Sequence, residues 1–169
     1  EYNAEKAKAM LDEAGYVDSD GDGWREFKDG TVMDLTVIPQ YSSKMEVRMR
    51  IGEIVCTSLK NIGVNCHIDE EAIVNGEIWE DRVTKEEYDI SITFCTSGVA
   101  TYSTPFRYLL AELREGRGWC WGSYHNPILT EAFYKMTEAI NDEQYLENSL
   151  ILQHLADDEM FALTLAWQT

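Results

Sequence analysis

The chain has 169 residues, with 31 acidic against 14 basic side chains and a formal net charge of −17. Such a surface repels phosphate backbones and anionic lipid heads, which argues against nucleic acid and membrane-surface partners. Hydrophobic residues at 44% and charged residues at 27% describe a folded domain rather than a disordered chain, long enough to bury roughly 70% of its unfolded surface.

No apolar run approaches the ~20 residues that span a bilayer as a helix. The chain opens at Glu1 and stops at Thr169 just after an apolar run, and we expect it to be a piece of a longer protein. Cys56, Cys66, Cys95 and Cys120 form no CxxC pair and have no histidine at zinc-site spacing. Cys56 and Cys66 fall in helix and strand patterns as buried thiols. Cys95 and Cys120 sit at loop edges, where a bridge stays open.

In chain order, Ala4, Ala7, Leu11 and Ala14 share one face of a first helix, with Asn3 as its cap and Gly15 closing it. An aspartate-rich turn follows. Met33, Leu35 and Val37 then alternate with polar residues up to Pro39, the mark of a strand. Ser43 and Glu46 make a capping box. Val47, Ile51, Ile54, Val55, Ser58 and Ile62 hold helical spacing up to Gly63, and Val64, Cys66 and Ile68 alternate as a second strand. Strand, helix, strand predicts a βαβ unit with parallel strands.

A weaker helix follows Asn75, using Ile78, Trp79 and Val83. Tyr88, Ile90, Ile92 and Phe94 form a third strand, which runs into a polar loop from Cys95 to Thr104. Thr104 and Pro105 open another helix with Leu109, Leu110 and Leu113 beneath. After the aromatic, glycine-rich stretch 116–126, Asn126-Pro127 opens a helix using Ile128, Ala132, Phe133, Met136 and Ile140. A last helix runs from about Glu143 to Asp157, and Met160 to Trp167 is long enough for a buried strand. Alternating strands and helices make the fold class α/β.

The turn DSDGDGWREFKD has two readings. As a calcium loop, Asp18, Asp20 and Asp22 take positions one, three and five, Gly23 supplies the turn at six, Trp24 offers its carbonyl at seven, and Asp29 falls at twelve. As a plain Asx-rich turn, the same side chains bond their own backbone and need no metal. The chain has no second loop of this kind.

The helix Lys6-Ala7-Lys8-Ala9-Met10-Leu11 through Glu13-Ala14-Gly15-Tyr16, followed by the aspartate-glycine turn, resembles the opening of a lobe in extracellular solute-binding proteins of ABC importers, the peptide and nickel class. Three further stretches are similar to that family's patterns in the same order: Leu59 to Ile68 (LKNIGVNCHI), Tyr88-Asp89-Ile90, and Ser123 to Phe133 (SYHNPILTEAF). The chain departs from the pattern where Thr96, Ser97 and Gly98 replace a tryptophan, and at Thr130, where an acid is usual. The resemblance implies a mixed sheet with flanking helices, residues 1–169 together forming one lobe of a two-lobe, type II periplasmic-binding-protein-like fold. It also implies a peptide or similar small solute held between lobes, the first lobe of the same parent as a neighbour, ABC permease subunits as partners, and an extracellular or periplasmic location at the membrane through the parent.

In α/β folds ligands meet loops at the carboxyl ends of strands. Thr96, Ser97 and Tyr102, after the third strand, are therefore the leading ligand-facing residues, and their hydroxyls suit a peptide backbone. Trp119, Trp121 and Tyr124 are the second group, either as aromatic ligand contacts or as packing for the lobe's own core. His67, His125 and His154 are scattered and make no metal set.

An enzyme would need a constrained nucleophile or acid–base pair, and no GxSxG, HExxH or P-loop pattern occurs. Asp157-Asp158-Glu159 reads as a charged helix end rather than a hydrolytic carboxylate pair. A calcium-stabilised interaction module is the other alternative, resting on the aspartate loop alone. The reading is a binding protein without catalysis and without a cofactor other than a possible structural calcium.

Overall fold

The computed structural model describes residues 2–42, 45–93 and 124–159. The chain forms two compact units, Glu1–Phe94 and Cys95–Thr169.

In the first unit, helix α1 spans Ala4–Glu13. The Asn3 side chain accepts the Lys6 N–H at 2.9 Å, as its cap position requires. Gly15 leaves the helix with φ +86°, in the left-handed region that glycine enters without a Cβ penalty. Ala4, Ala7 and Leu11 of the predicted stripe then face Met33, Ile62 and Val64, while Ala14, at the C-cap, is exposed.

The sheet has three parallel strands in the order β2-β1-β3: β1 is Asp34–Pro39, β2 Asn65–Ile68 and β3 Ile90–Ile92. Leu35 pairs with Cys66 on one side of β1, and Ile38 pairs with Ser91 on the other. Central placement explains why Val37, Ile38 and Pro39 are all fully buried instead of alternating with exposed residues. The long crossover between β1 and β2 is helix α2, Met45–Lys60, so the βαβ unit is as predicted.

Val37, Cys56, Cys66 and Ile92 form the core under α2, with Ile51, Val55 and Leu59 packed against it. Gly52 faces the sheet there. A Cβ at this position would stand 3.2 Å from Ile68 Cδ1 and 3.3 Å from Pro39 Cγ, so the glycine sets how closely helix and sheet approach. Val47 and Ile54, expected on the buried face, are instead 52% and 54% exposed. Each lies about a quarter of a turn around the helix from the centre of the Ile51–Val55–Leu59 stripe. Ser43 of the expected capping box lies outside the described residues.

Helix α3, Gly76–Lys85, starts from the Asn75 cap, and it buries Trp79 and Val83. In the second unit, α4 spans Pro127–Thr137 and α5 spans Asp142–Glu159. They meet around Leu129, Ala132, Phe133, Met136 and Leu152. Leu129, not Ile128, lies on the packed face. Ile128 is a quarter turn off it, and Ile140 stands beyond the end of α4 at 88% exposure. Phe94, the helix expected after Thr104 and the apolar run 160–167 lie outside the described residues.

Candidate functional site: the carboxyl edge of the sheet and the aspartate loop

A parallel sheet presents its strand carboxyl ends along one edge, and here the chain leaving β1 and the chain entering α3 border an open cleft there. Tyr41, Val74, Asn75, Gly76, Glu77 and Glu80 line this cleft of about 500 Å³. Tyr41 and Val74 are 47% and 70% exposed, an apolar surface beside two carboxylates. Gly76 lets the Tyr41 ring lie against the start of α3, since a Cβ there would meet Tyr41 Cδ1 at 3.0 Å.

The rim is braced from behind. Arg82 donates to Asp69 at 2.9 Å, to Glu87 at 3.0 Å and to Glu71 at 3.2 Å, joining α3 to the end of β2. Burial pushes the Asp69 carboxyl up, but the Ala72 amide, the Arg82 guanidinium and the Glu71 amide outweigh it and hold it below the usual carboxylate range. On the other side of β1, Asp89 accepts the Thr36 N–H at 2.8 Å and returns its own N–H to the Thr36 carbonyl at 3.0 Å. The aspartate of the Tyr88-Asp89-Ile90 pattern is thus a sheet-pairing residue.

Of the predicted ligand-facing residues, Thr96, Ser97, Tyr102, Trp119 and Trp121 lie outside the described residues. Tyr124 is half-buried against the α4–α5 core, with its hydroxyl 3.5 Å from the Asn126 amide. Tyr41 and the Asn75–Glu80 wall were not singled out from the sequence. The signal was present in a tyrosine two residues past a strand end and an Asn-Gly pair opening a helix.

The aspartate loop is ordered by its own amides. Asp18 accepts from Gly21 N at 2.7 Å and Gly23 N at 2.9 Å, Asp20 from Asp22 N at 3.1 Å, and Asp22 from Trp24 N at 2.8 Å. Carboxylate oxygens of Asp18, Asp20, Asp22 and Glu26 lie within 4.8 Å of one another. Asp29, the expected twelfth-position ligand, stands outside this group. Its carboxylate takes the Thr31 hydroxyl at 2.7 Å and the Thr31 amide at 3.0 Å, which keep it below its ordinary pKa. Glu26, at position nine, is the fourth member of the group.

Arg25, the next residue after Trp24, is buried and turned away from the carboxylates. Its guanidinium donates to the Ile62 carbonyl at 2.7 Å, to Asp12 at 2.6 Å, and to the Tyr16 carbonyl. His67 meets Asp34 at 3.1 Å on the exposed face of the sheet.

With this architecture in place, residues 1–116 match the family model of bacterial extracellular solute-binding proteins, family 5, middle region. The chain belongs to that family. The oligopeptide-binding protein AppA of Bacillus subtilis (strain 168) is 28% identical over 164 residues, covering 95% of this chain and 28% of that protein. Among solved structures, a periplasmic oligopeptide-binding protein from Thermotoga maritima superimposes with a TM-score of 0.76 at 21% identity, over 95% of this chain and 30% of that one. NikZ from Campylobacter jejuni, solved with Ni(L-His), gives 0.68 at 19% identity over 90% and 29%. The chain therefore spans between a quarter and a third of the length of these relatives, and the α/β architecture is theirs.

Proposed function

We propose that the chain is part of one lobe of the substrate-binding component of an ABC importer. The whole protein takes up an oligopeptide or similar small solute between two lobes and hands it to a membrane permease. It acts outside the cytoplasmic membrane, is held there through its parent, and does no catalysis of its own. The observation that carries the reading is family membership over residues 1–116, joined to 28% identity with an oligopeptide-binding protein across 95% of the chain.

The cleft at the carboxyl edge supports the reading chemically. It pairs the exposed Tyr41 ring and Val74 with the Glu77 and Glu80 carboxylates. A peptide supplies both complements, apolar side chains for the first and an ammonium or guanidinium for the second. A closing lobe would exclude water from these pairs and strengthen them.

The test is a melting-temperature screen of the two-lobe protein that contains this chain, against short peptides, oligosaccharides and nickel–histidine. A rise of several degrees with peptides is the expected result, because a ligand that binds only the native state stabilises it. A rise with oligosaccharides or nickel–histidine alone would replace the peptide with that solute. No rise with any of the three would remove the receptor role.

A further inference from the structure

One buried group in the first unit is unaccounted for by solute binding or by the core. Glu26 is 7% exposed. Its Oε2 accepts the Ser19 N–H at 2.9 Å, so the carboxylate is turned into the aspartate loop. Its Oε1 is buried with no hydrogen-bond partner among the described residues. An ionised oxygen withdrawn from water needs a donor or a cation, and leaving it bare is costly.

Among the described residues no donor reaches Oε1, and the surroundings add more negative charge. Three more carboxylates, from Asp18, Asp20 and Asp22, present oxygens within 4.8 Å of one another and of Glu26. No ion pair among the described residues engages any of the four. Arg25, adjacent in sequence, is committed to Asp12 and to the carbonyls of Tyr16 and Ile62. Lys28 lies over the Tyr16 ring, 5.5 Å from its centre.

We propose that Asp18, Asp20, Asp22 and Glu26 bind one calcium ion, which pins the connection between α1 and β1. All four donors are hard oxygens, with no thiolate or imidazole of the described residues in the group, which selects against zinc and copper. Four carboxylates can each give one or two oxygens, which suits the six to eight ligands of calcium better than the strict octahedron of magnesium. Glu26 is the ligand that distinguishes this site from an exposed acidic turn. Its backbone is fixed, since its N–H bonds the Val17 carbonyl at 3.0 Å and Glu26 bridges Val32. The site stands whether or not the solute is a peptide.

The experiment is calcium chloride titrated into the chelator-stripped full chain, read by calorimetry and by melting temperature. Trp24, within the loop, gives a second readout as a sensitiser of terbium luminescence. The expected result is one ion per chain, a melting temperature raised by a few degrees, and terbium emission that calcium displaces. Glu26→Gln and, separately, Asp20→Asn should abolish all three. Asp20 is exposed and, among the described residues, accepts only the Asp22 N–H, so Asp20→Asn tests the site even if Glu26→Gln fails to fold. Asp157→Asn with Asp158→Asn, on exposed α5, should leave the response intact. The site is overturned by an unchanged melting temperature at millimolar calcium, or by equal loss in the α5 control. An equal response to magnesium overturns the assignment to calcium.

Discussion

Cys56 on α2 and Cys66 on β2 meet thiol to thiol, with their sulfur atoms 2.8 Å apart in the core of the first unit. Burial, and then the neighbouring Cys56 thiol, push the Cys66 thiol up to about 12. The native Cys66 thiol therefore stays protonated where an unfolded cysteine, near pH 8.5, begins to ionise. The unfolded state then binds fewer protons than the native state, so this group's contribution is whole below about pH 8.5 and declines as pH rises toward 12. In a Cys95→Ser, Cys120→Ser background, alkylation of the folded protein by iodoacetamide at pH 8 should proceed only at the rate of unfolding. Cys66→Val should flatten the alkaline fall in melting temperature. Fast labelling of the native protein would show that the thiols are accessible and would remove the prediction.

Arg25 joins three segments that are distant in sequence: the end of α1 through Asp12, the turn at Tyr16, and the end of α2 at the Ile62 carbonyl. Gly63 accommodates it with φ +83°, where a Cβ would press on the arginine at 3.4 Å. Arg25→Met keeps much of the buried stem but strands the two carbonyls. A charged hydrogen bond of this kind contributes ~1.5–3 kcal/mol, so a loss of about 3 kcal/mol in denaturant unfolding is expected. The partner variant Asp12→Asn should cost under about 1 kcal/mol, because Asp12 is largely exposed. Equal losses from both would place the stabilisation in the ion pair rather than in the carbonyl contacts.

Arg25 also shows where sequence reading stops. Local periodicity placed α1, α2 and β2 through the repeat of their packed positions, and it placed β1 through the alternation of Met33, Leu35 and Val37, although the sheet buries Val37, Ile38 and Pro39 together. It misplaced Val47, Ile54 and Ile128, because a three- or four-residue step fits more than one stripe and the sheet or neighbouring helix decides between them. The aspartate loop was legible through its spacing at Asp18, Asp20 and Asp22. Its fourth carboxylate was not, since position nine enters only when the 26–32 hairpin folds Glu26 back onto Ser19. The Tyr41 cleft was hidden for a similar reason. It is made by two segments 35 residues apart, Tyr41 and Gly76, which only the parallel register of β1 and β2 brings together.

Asn126 holds the second unit's helix pair at one corner. Its side-chain oxygen accepts from Ile128 N at 2.9 Å and Leu129 N at 3.2 Å, and its amide donates to Glu159 at the far end of α5 at 2.9 Å. Asn126→Asp preserves the cap but sets a carboxylate against Glu159, whereas Asn126→Ala removes cap and tie together. Loss of an N-cap costs about 1 kcal/mol and a buried unsatisfied amide adds to it, so Asn126→Ala should cost ~2 kcal/mol. Adding Glu159→Gln should rescue Asn126→Asp and leave Asn126→Ala unchanged. Urea unfolding followed by helical circular dichroism reads this directly, and an Asn126→Asp variant as stable as the wild type and unmoved by Glu159→Gln would place the whole effect in the cap.

Gly76 separates the cleft from the stability of its walls. It is the first residue of α3, where alanine is a better helix former than glycine, so helix propensity alone makes Gly76→Ala neutral or slightly stabilising. The new methyl would meet Tyr41 Cδ1 at 3.0 Å, and the exposed ring must swing away from the start of α3 to admit it. The cleft loses its apolar wall while the core beneath is untouched. In the two-lobe protein, peptide affinity should therefore fall, by roughly 1–2 kcal/mol or about tenfold, with the unliganded melting temperature unchanged or higher. Glu77→Gln with Glu80→Gln should weaken peptides carrying a basic residue more than neutral ones, and that difference should shrink as salt is added. Unaltered affinity in both variants, with the melting temperatures as described, would move the solute away from this edge of the sheet.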